Sequence, residues 1–265
     1  MAGIARFCLV SRDAESLASF YADAFGALTV SRQRDSDAST STLLAIGAQR
    51  VELLAFDRPG RPYPADADAS GLAFQHFAIV VVDIDAAYRK LQATSGCVAI
   101  SHAGPQRLPV ESGGVTAFKF RDPEGHPLEL LQFPAMSPRS RWRAKSPPGN
   151  VLGIDHSALS VADTERSIAF YESLGLCVTA RSFNEGVEQD RLDGLSGAQV
   201  HVTALRAPDD TPHLELLCYR DRGPPTVVEA NDVAATRVVF RSNESRDACL
   251  VDPDGHRIVV LAGSA

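Results

Sequence analysis

With 265 residues, 45% of them hydrophobic, the chain is long enough for two domains of ordinary size, each with its own core. A net charge of −7, with no run of Lys and Arg interleaved with aromatics, excludes a protein that tracks a phosphate backbone, so no nucleic-acid partner is expected. No apolar stretch approaches the ~18 residues of a membrane span, and MAGIARFCLVSRD lacks the basic start and apolar core of a secretory signal. A cytoplasmic protein with no membrane partner is the expectation.

Taken in chain order, residues 3–26 read as a strand, a polar turn and an amphipathic helix that contains Phe20-Tyr21. Asp13 is placed to cap the helix and Gly26 to end it. A second strand, FQHFAIVVV at 74–82, leads to a helix from Asp83 to Gln92 and to strands near 97–101, 114–121 and 127–133. The last two are joined by Asp-Pro-Glu-Gly, a turn in which Pro fixes one φ and Gly supplies a positive one. Residues 135–150, rich in Pro, Ser and Arg and without apolar periodicity, read as a linker.

The opening pattern then returns at an offset of 150, with IDHSALSVADTERSIAFYESLG repeating IARFCLVSRDAESLASFYADAFG. A polar loop from Phe183 to Gly197 follows and matches nothing in the first copy. The strand ATRVVFRS at 235–242 runs within a few residues into a closing hairpin at 248–263, which leaves no room for a helix and whose CLVDPDGHRIVVLAG at 249–263 repeats FKFRDPEGHPLELLQF at 118–133. Four units result, 1–60, 70–134, 151–221 and 230–265, grouped as an N-terminal domain 1–134, a linker 135–150 and a C-terminal domain 151–265. The five cysteines, Cys8, Cys97, Cys177, Cys218 and Cys249, are odd in number and widely spaced, and read as buried thiols.

An HxxxxV-type first strand, a D-x6-FY helix, a DPxGHxLEL hairpin and paired βαβββ units together resemble the vicinal-oxygen-chelate superfamily of glyoxalases, bleomycin-resistance proteins and extradiol dioxygenases, across nearly the whole chain. The resemblance implies an α+β fold in which tandem βαβββ units form two glyoxalase-like domains with curled mixed sheets, the fourth unit being abbreviated. It also implies that pairs of units form cups, with His, Gln or Glu ligands for a metal drawn from each unit's first strand and from its last strand in the LEL context.

Carried over position by position, the units offer Arg6 and Glu52, His76 and Glu129, His156 and Glu215, and Arg237 and Val259. Only the second and third keep both ligand types. Sequential pairing would compromise both cups, whereas crossed pairing, with unit two beside unit three, gives one cup the full set His76, Glu129, His156 and Glu215. Crossed pairing is therefore expected, with Glu52 left to an ion pair with Arg6. Such a mixed N/O set suits one divalent ion, Ni, Co, Zn, Mn or Fe, and leaves positions open for substrate oxygens.

The implied chemistry is that of a glyoxalase-like isomerase or lyase acting on a small oxygenated metabolite through a metal-stabilised enediolate, with Glu129 and Glu215 as proton carriers. An Fe(II) extradiol-type dioxygenase and a metal-free ligand-binding or drug-binding protein of the bleomycin-resistance type are the alternatives. Asn184, Gln189 and Arg191 in the polar loop, with His213 two residues before Glu215 on the same strand face, are the candidate substrate contacts. His126, His256, Tyr21 and Tyr171 are expected to serve turns and packing. The partner is a small molecule, and the protein a monomer or homodimer.

Overall fold

The computed structural model describes residues 3–36, 38–134, 142, 149–209, 212–223, 226–242 and 246–263. The expected linker thus lies outside the described residues, apart from Trp142, Gly149 and Asn150. The first segment contains β1 (Gly3–Val10), α1 (Ala14–Phe25), β2 (Leu28–Arg34), β3 (Ser39–Ile46) and β4 (Gln49–Phe56). The second contains β5 (Gln75–Val81), α2 (Ile84–Ala93), β6 (Val98–Ala99), β7 (Gln106–Arg107), β8 (Thr116–Arg121) and β9 (Pro127–Gln132). The third contains β10 (Val151–Ser160), α3 (Thr164–Ser173), β11 (Cys177–Glu185), α4 (Val187–Asp193), β12 (Gln199–Arg206) and β13 (His213–Tyr219), and the last β14 (Arg237–Ser242), β15 (Ala248–Val251) and β16 (Arg257–Ala262).

Three helices start where an Asp stands before the apolar repeat. The carboxylates of Asp13, Asp83 and Asp163 accept the amides of Ser16, Ala86 and Arg166, satisfying backbone donors that have no partner within the helix. Gly26 ends α1 in the left-handed conformation, with φ 68°. The stretch 183–197 differs from its reading as a loop: β11 continues through Glu185, and Val187–Asp193 forms α4, which ends at Gly194 with φ 66°. Its polar composition concealed a short helix that buries Gln189, Leu192 and Asp193. The cysteines also differ in part, since all are free but Cys177 and Cys249 are exposed.

The strands form two mixed sheets. One has seven strands in the order β15-β16-β14-β1-β4-β3-β2; the other has nine, in the order β11-β12-β13-β10-β5-β9-β8-β6, with β7 beside β8. Each sheet therefore combines strands from both halves of the chain. The seams are the antiparallel pairs β1/β14 and β5/β10, so the crossed arrangement is the observed one. Each first strand pairs in parallel with the last strand of its own segment: β1/β4, β5/β9, β10/β13 and β14/β16. A continuous core joins the two sheets to the helices, with Phe7 of β1 stacked on Phe77 of β5 at 5.7 Å.

The repeated FY and DPxGH motifs meet in space. In each hairpin one Asp oxygen accepts two turn amides, from Glu124 and His126 to Asp122, and from Asp254 and His256 to Asp252. The other oxygen accepts a tyrosine hydroxyl, from Tyr21 of α1 at 3.2 Å or from Tyr171 of α3 at 2.9 Å. Nε2 of His126 then donates to the carbonyl of Val10, and Nε2 of His256 to that of Ser160, tying the turn to the end of a first strand. These residues are structural clasps, and they fix the hairpins that present the last strands.

Candidate metal centre

The parallel registers place the site. Ala78 lies opposite Glu129, and Ala158 opposite Glu215, while His76 and His156 stand two residues earlier on the same strands. Because side chains alternate along a strand, each imidazole shares a face with the carboxylate beside it. The β5/β10 seam then brings the two pairs together. Nε2 of His76 is 3.2 Å from Oε2 of Glu129, Nε2 of His156 is 3.5 Å from the same oxygen, and Oε2 of Glu215 lies 3.6 Å from Nε2 of His156. The ligand atoms of His76, Glu129 and His156 all lie within 4.8 Å of one another. All four expected ligands face one cavity of about 390 Å³.

The donor set fits a divalent cation. Ligand atoms held at about 2.1 Å from a metal with angles near 90–110° are about 3.0–3.5 Å apart, close to the spacings seen here. The burial also needs compensation. Burial pushes Glu129 up, yet hydrogen bonding to His156 and His76 and the charge of Lys119 hold it well below the usual carboxylate range. Glu215 shows the same contest, burial against the His156 charge and the His213 hydrogen bond, and falls to about 2. His156 loses basicity by burial but gains more from Glu215, Asp155 and Glu129, and rises to about 10. His76 is depressed, chiefly by burial, with Glu129 offsetting only part. One imidazolium thus stands between three carboxylates, in the place a metal ion would take.

Neighbouring groups orient these side chains. The β5/β10 register slips between Ile154 and Ser157, which relaxes strict alternation, and Oδ2 of Asp155 reaches Nδ1 of His156 at 3.2 Å. Asp155 is itself held by Nε1 of Trp142, at 2.9 Å. A carboxylate on the far nitrogen turns Nε2 toward the site, as metal-bound imidazoles require. His213 holds the carbonyl of Asp155 through Nδ1 at 3.0 Å and faces Oε1 of Glu215 through Nε2 at 3.2 Å.

Of the expected substrate contacts, Asn184 and Gln189 line the cavity. Arg191 does not; it is exposed on α4, whose helical turn carries it away from the face bearing Gln189 and Leu192. His213 is buried behind Glu215 and does not reach the cavity. Three groups escaped the sequence reading: Asp155, Lys119 in the cavity wall, and the buried Asp193 joined to Lys119 at 2.6 Å. Lys119 was accessible to simple counting, because a hairpin that pairs Arg121 with Pro127 also pairs Lys119 with Glu129. Asp193 had no such signal, since it arrives from α4.

Residues 3–130 match the model of the Glyoxalase/Bleomycin resistance protein/Dioxygenase superfamily. No curated protein matches the sequence. Glyoxalase I from Zea mays has a similar fold, with a TM-score of 0.62 and 20% identity over 98% of this chain and 92% of that one. A point mutant of the same Zea mays protein gives 0.63 and 19%, with the same coverage. At such identities the likeness is one of fold: mixed sheets with few helices, arranged as in a two-domain glyoxalase I. Among the described residues no helix is long and apolar enough to cross a membrane.

Proposed function

We propose that this chain, which belongs to the Glyoxalase/Bleomycin resistance protein/Dioxygenase superfamily, is a divalent-metal-dependent isomerase or lyase acting on a small oxygenated metabolite. The observation that carries the reading is the convergence of His76, Glu129, His156 and Glu215 from four strands on one cavity. His76 and His156 would present Nε2, and Glu129 and Glu215 their Oε2 atoms, to one ion of Ni, Co, Zn, Mn or Fe. When bound, that ion would supply Lewis acidity to a substrate carbonyl oxygen.

The chain's own groups divide the remaining work. Oε2 of Glu129 faces both imidazoles and is held in place by them. Glu215 keeps 18% of its side-chain exposure, faces the cavity, and is steadied at Oε1 by His213, so Oε2 of Glu215 is the better placed to take and return a proton. Asn184 and Gln189 contact the substrate. We further propose 1–134, 135–150 and 151–265 as the units of the sequence duplication, a cytoplasmic location, and a monomer or homodimer.

Elemental analysis and chelator competition on the purified protein test the reading. One equivalent of divalent metal is expected, lost in both His76→Ala and His156→Ala. A protein that takes up no metal, or keeps it in either variant, ends the metal-centre reading. One observation favours a second reading, a metal-free ligand-binding protein: the imidazolium of His156 already balances its carboxylate neighbours. In that case small molecules should bind the cavity equally well before and after chelation.

A further inference from the structure

We infer that the cavity selects an uncharged, mainly apolar substrate that brings its own hydrogen-bond donor, and rejects compounds with an added carboxylate or phosphate. The inference rests on the reading of the site as a metal centre for vicinal oxygens and adds the substrate class.

Anion recognition at depth needs a cation that is not already matched. Among the described lining residues the side-chain cations besides the imidazoles are Lys119 and Arg181, against the carboxylates Glu111, Glu129 and Glu215. The Lys119 ammonium donates to Oδ1 of Asp193 at 2.6 Å, and both groups are buried. Oδ2 of Asp193 accepts the hydroxyl of Tyr219 at 2.8 Å and the amide nitrogen of Gln189 at 2.7 Å. At contact distance the pair acts on its surroundings as a dipole, not as a free charge. Arg181 stands at the rim, 53% exposed and 2.7 Å from Glu165, where water and salt screen it. Glu111 at the exposed rim adds a further negative charge. A dication would be balanced by Glu129 and Glu215, and no charge is left over for a second anion.

The walls argue the same way. Leu108, Val115, Leu131, Phe133, Val202 and Leu217 suit an aromatic or branched alkyl body. Among the described lining residues two buried polar atoms lack a hydrogen-bond partner: Nδ1 of His76, on the far side of a ring that faces Glu129 through Nε2, and Oε1 of Gln189. The Gln189 amide cannot usefully turn over, because Asp193 can only accept. A ligand hydroxyl or N–H would satisfy that oxygen, whereas a carboxylate would set acceptor against acceptor.

The test uses cobalt-loaded protein titrated with benzohydroxamic acid and with its para-carboxy derivative, which share one chelating end, and reads the cobalt absorption. The neutral compound should bind at least about tenfold more tightly. Asp193→Asn, which leaves Lys119 unmatched, should narrow or reverse that ratio; if this variant does not fold, the wild-type ratio decides alone. A para-hydroxy derivative should gain affinity in the wild type and lose the gain in Gln189→Leu. Ligand-observed NMR on metal-free protein reads the same preference without cobalt. Equal or tighter binding of the carboxylate compound, or binding of neither compound to either form, overturns the inference. A protein that takes no cobalt yet keeps the neutral preference refutes the metal-centre reading and leaves the substrate class standing.

Discussion

The two sheets share one plan and carry opposite chemistry at the same positions. In the nine-stranded sheet, residues two before Ala78 and Ala158 are histidines, and the partners of those alanines are Glu129 and Glu215. In the seven-stranded sheet, the equivalents are Arg6 and Arg237, with Glu52 opposite Cys8 and Val259 opposite Val239. A guanidinium always carries its charge and has no lone pair to offer, so Arg6 closes on Glu52 at 2.6 Å while the Ser41 hydroxyl takes the other carboxylate oxygen. Arg237 lies 3.8 Å from Sγ of Cys8, whose thiol is pushed up to about 12 by burial and by Glu52. That thiol therefore stays protonated. One cup is thus a closed ionic seam and the other an open donor set. Guanidinium in place of imidazole on both first strands, with Val259 where the other sheet has a second carboxylate, separates them.

The sharpest test of this contrast is to break one ion pair in each sheet. Lys119→Met leaves Asp193 buried and unpaired, and should cost about 3–5 kcal/mol in urea unfolding. Arg6→Ala strands Glu52, but Arg6 and Glu52 keep 27% and 13% of their side-chain exposure, so water can replace part of what is lost. A cost of about 1–3 kcal/mol is expected there, with metal content unchanged. Equal costs, or loss of metal from Arg6→Ala, would show that the two cups are not independent in this way. A smaller effect belongs to Asp155→Asn. It keeps the shape beside His156 and removes the charge at Nδ1, so chelator competition should find metal affinity lowered by about 10–100-fold, while Glu52→Gln leaves it unaltered.

The sequence made visible whatever depends on periodicity within one strand or turn. The doubled strand-helix opening, the Asp caps, the DPxGH hairpins and the His and Glu positions all follow from patterns a few residues long, and crossed pairing followed from which units kept both ligand types. Groups that meet only through tertiary geometry stayed hidden. Asp155 reaches His156 because of a register slip at the seam, and a two-residue alternation gives no sign of one. Asp193 approaches Lys119 across 74 residues, from a helix that polar composition disguised as a loop. The clasps lie between these cases: FY and DPxGH were each legible, but their meeting at Asp122 and Asp252 was not.

A last expected effect comes from the clasp of the first half and is read through pH. Nδ1 of His126 lies 2.8 Å from Oδ2 of Asp122 while its Nε2 donates to Val10, so both ring nitrogens act as donors and the ring is held as the cation. Burial lowers the basicity of His126, but the Asp122 charge and hydrogen bond outweigh it, and the net shift is upward from the ordinary value of 6.5. A folded-state value above the unfolded one stabilises the fold fully below the unfolded value, and that contribution disappears as the pH rises through the folded one. Wild-type Tm should therefore fall, as the pH rises above the ordinary histidine value of about 6.5, by more than that of His126→Gln, which keeps a donor for Val10 and cannot titrate. The difference at the acidic end should correspond to about 1.5–3 kcal/mol, the usual worth of a hydrogen bond to a charged group. Parallel pH profiles for the two proteins would mean that the ring is neutral in the clasp, and that Asp122 holds the turn through its backbone amides and Tyr21 alone.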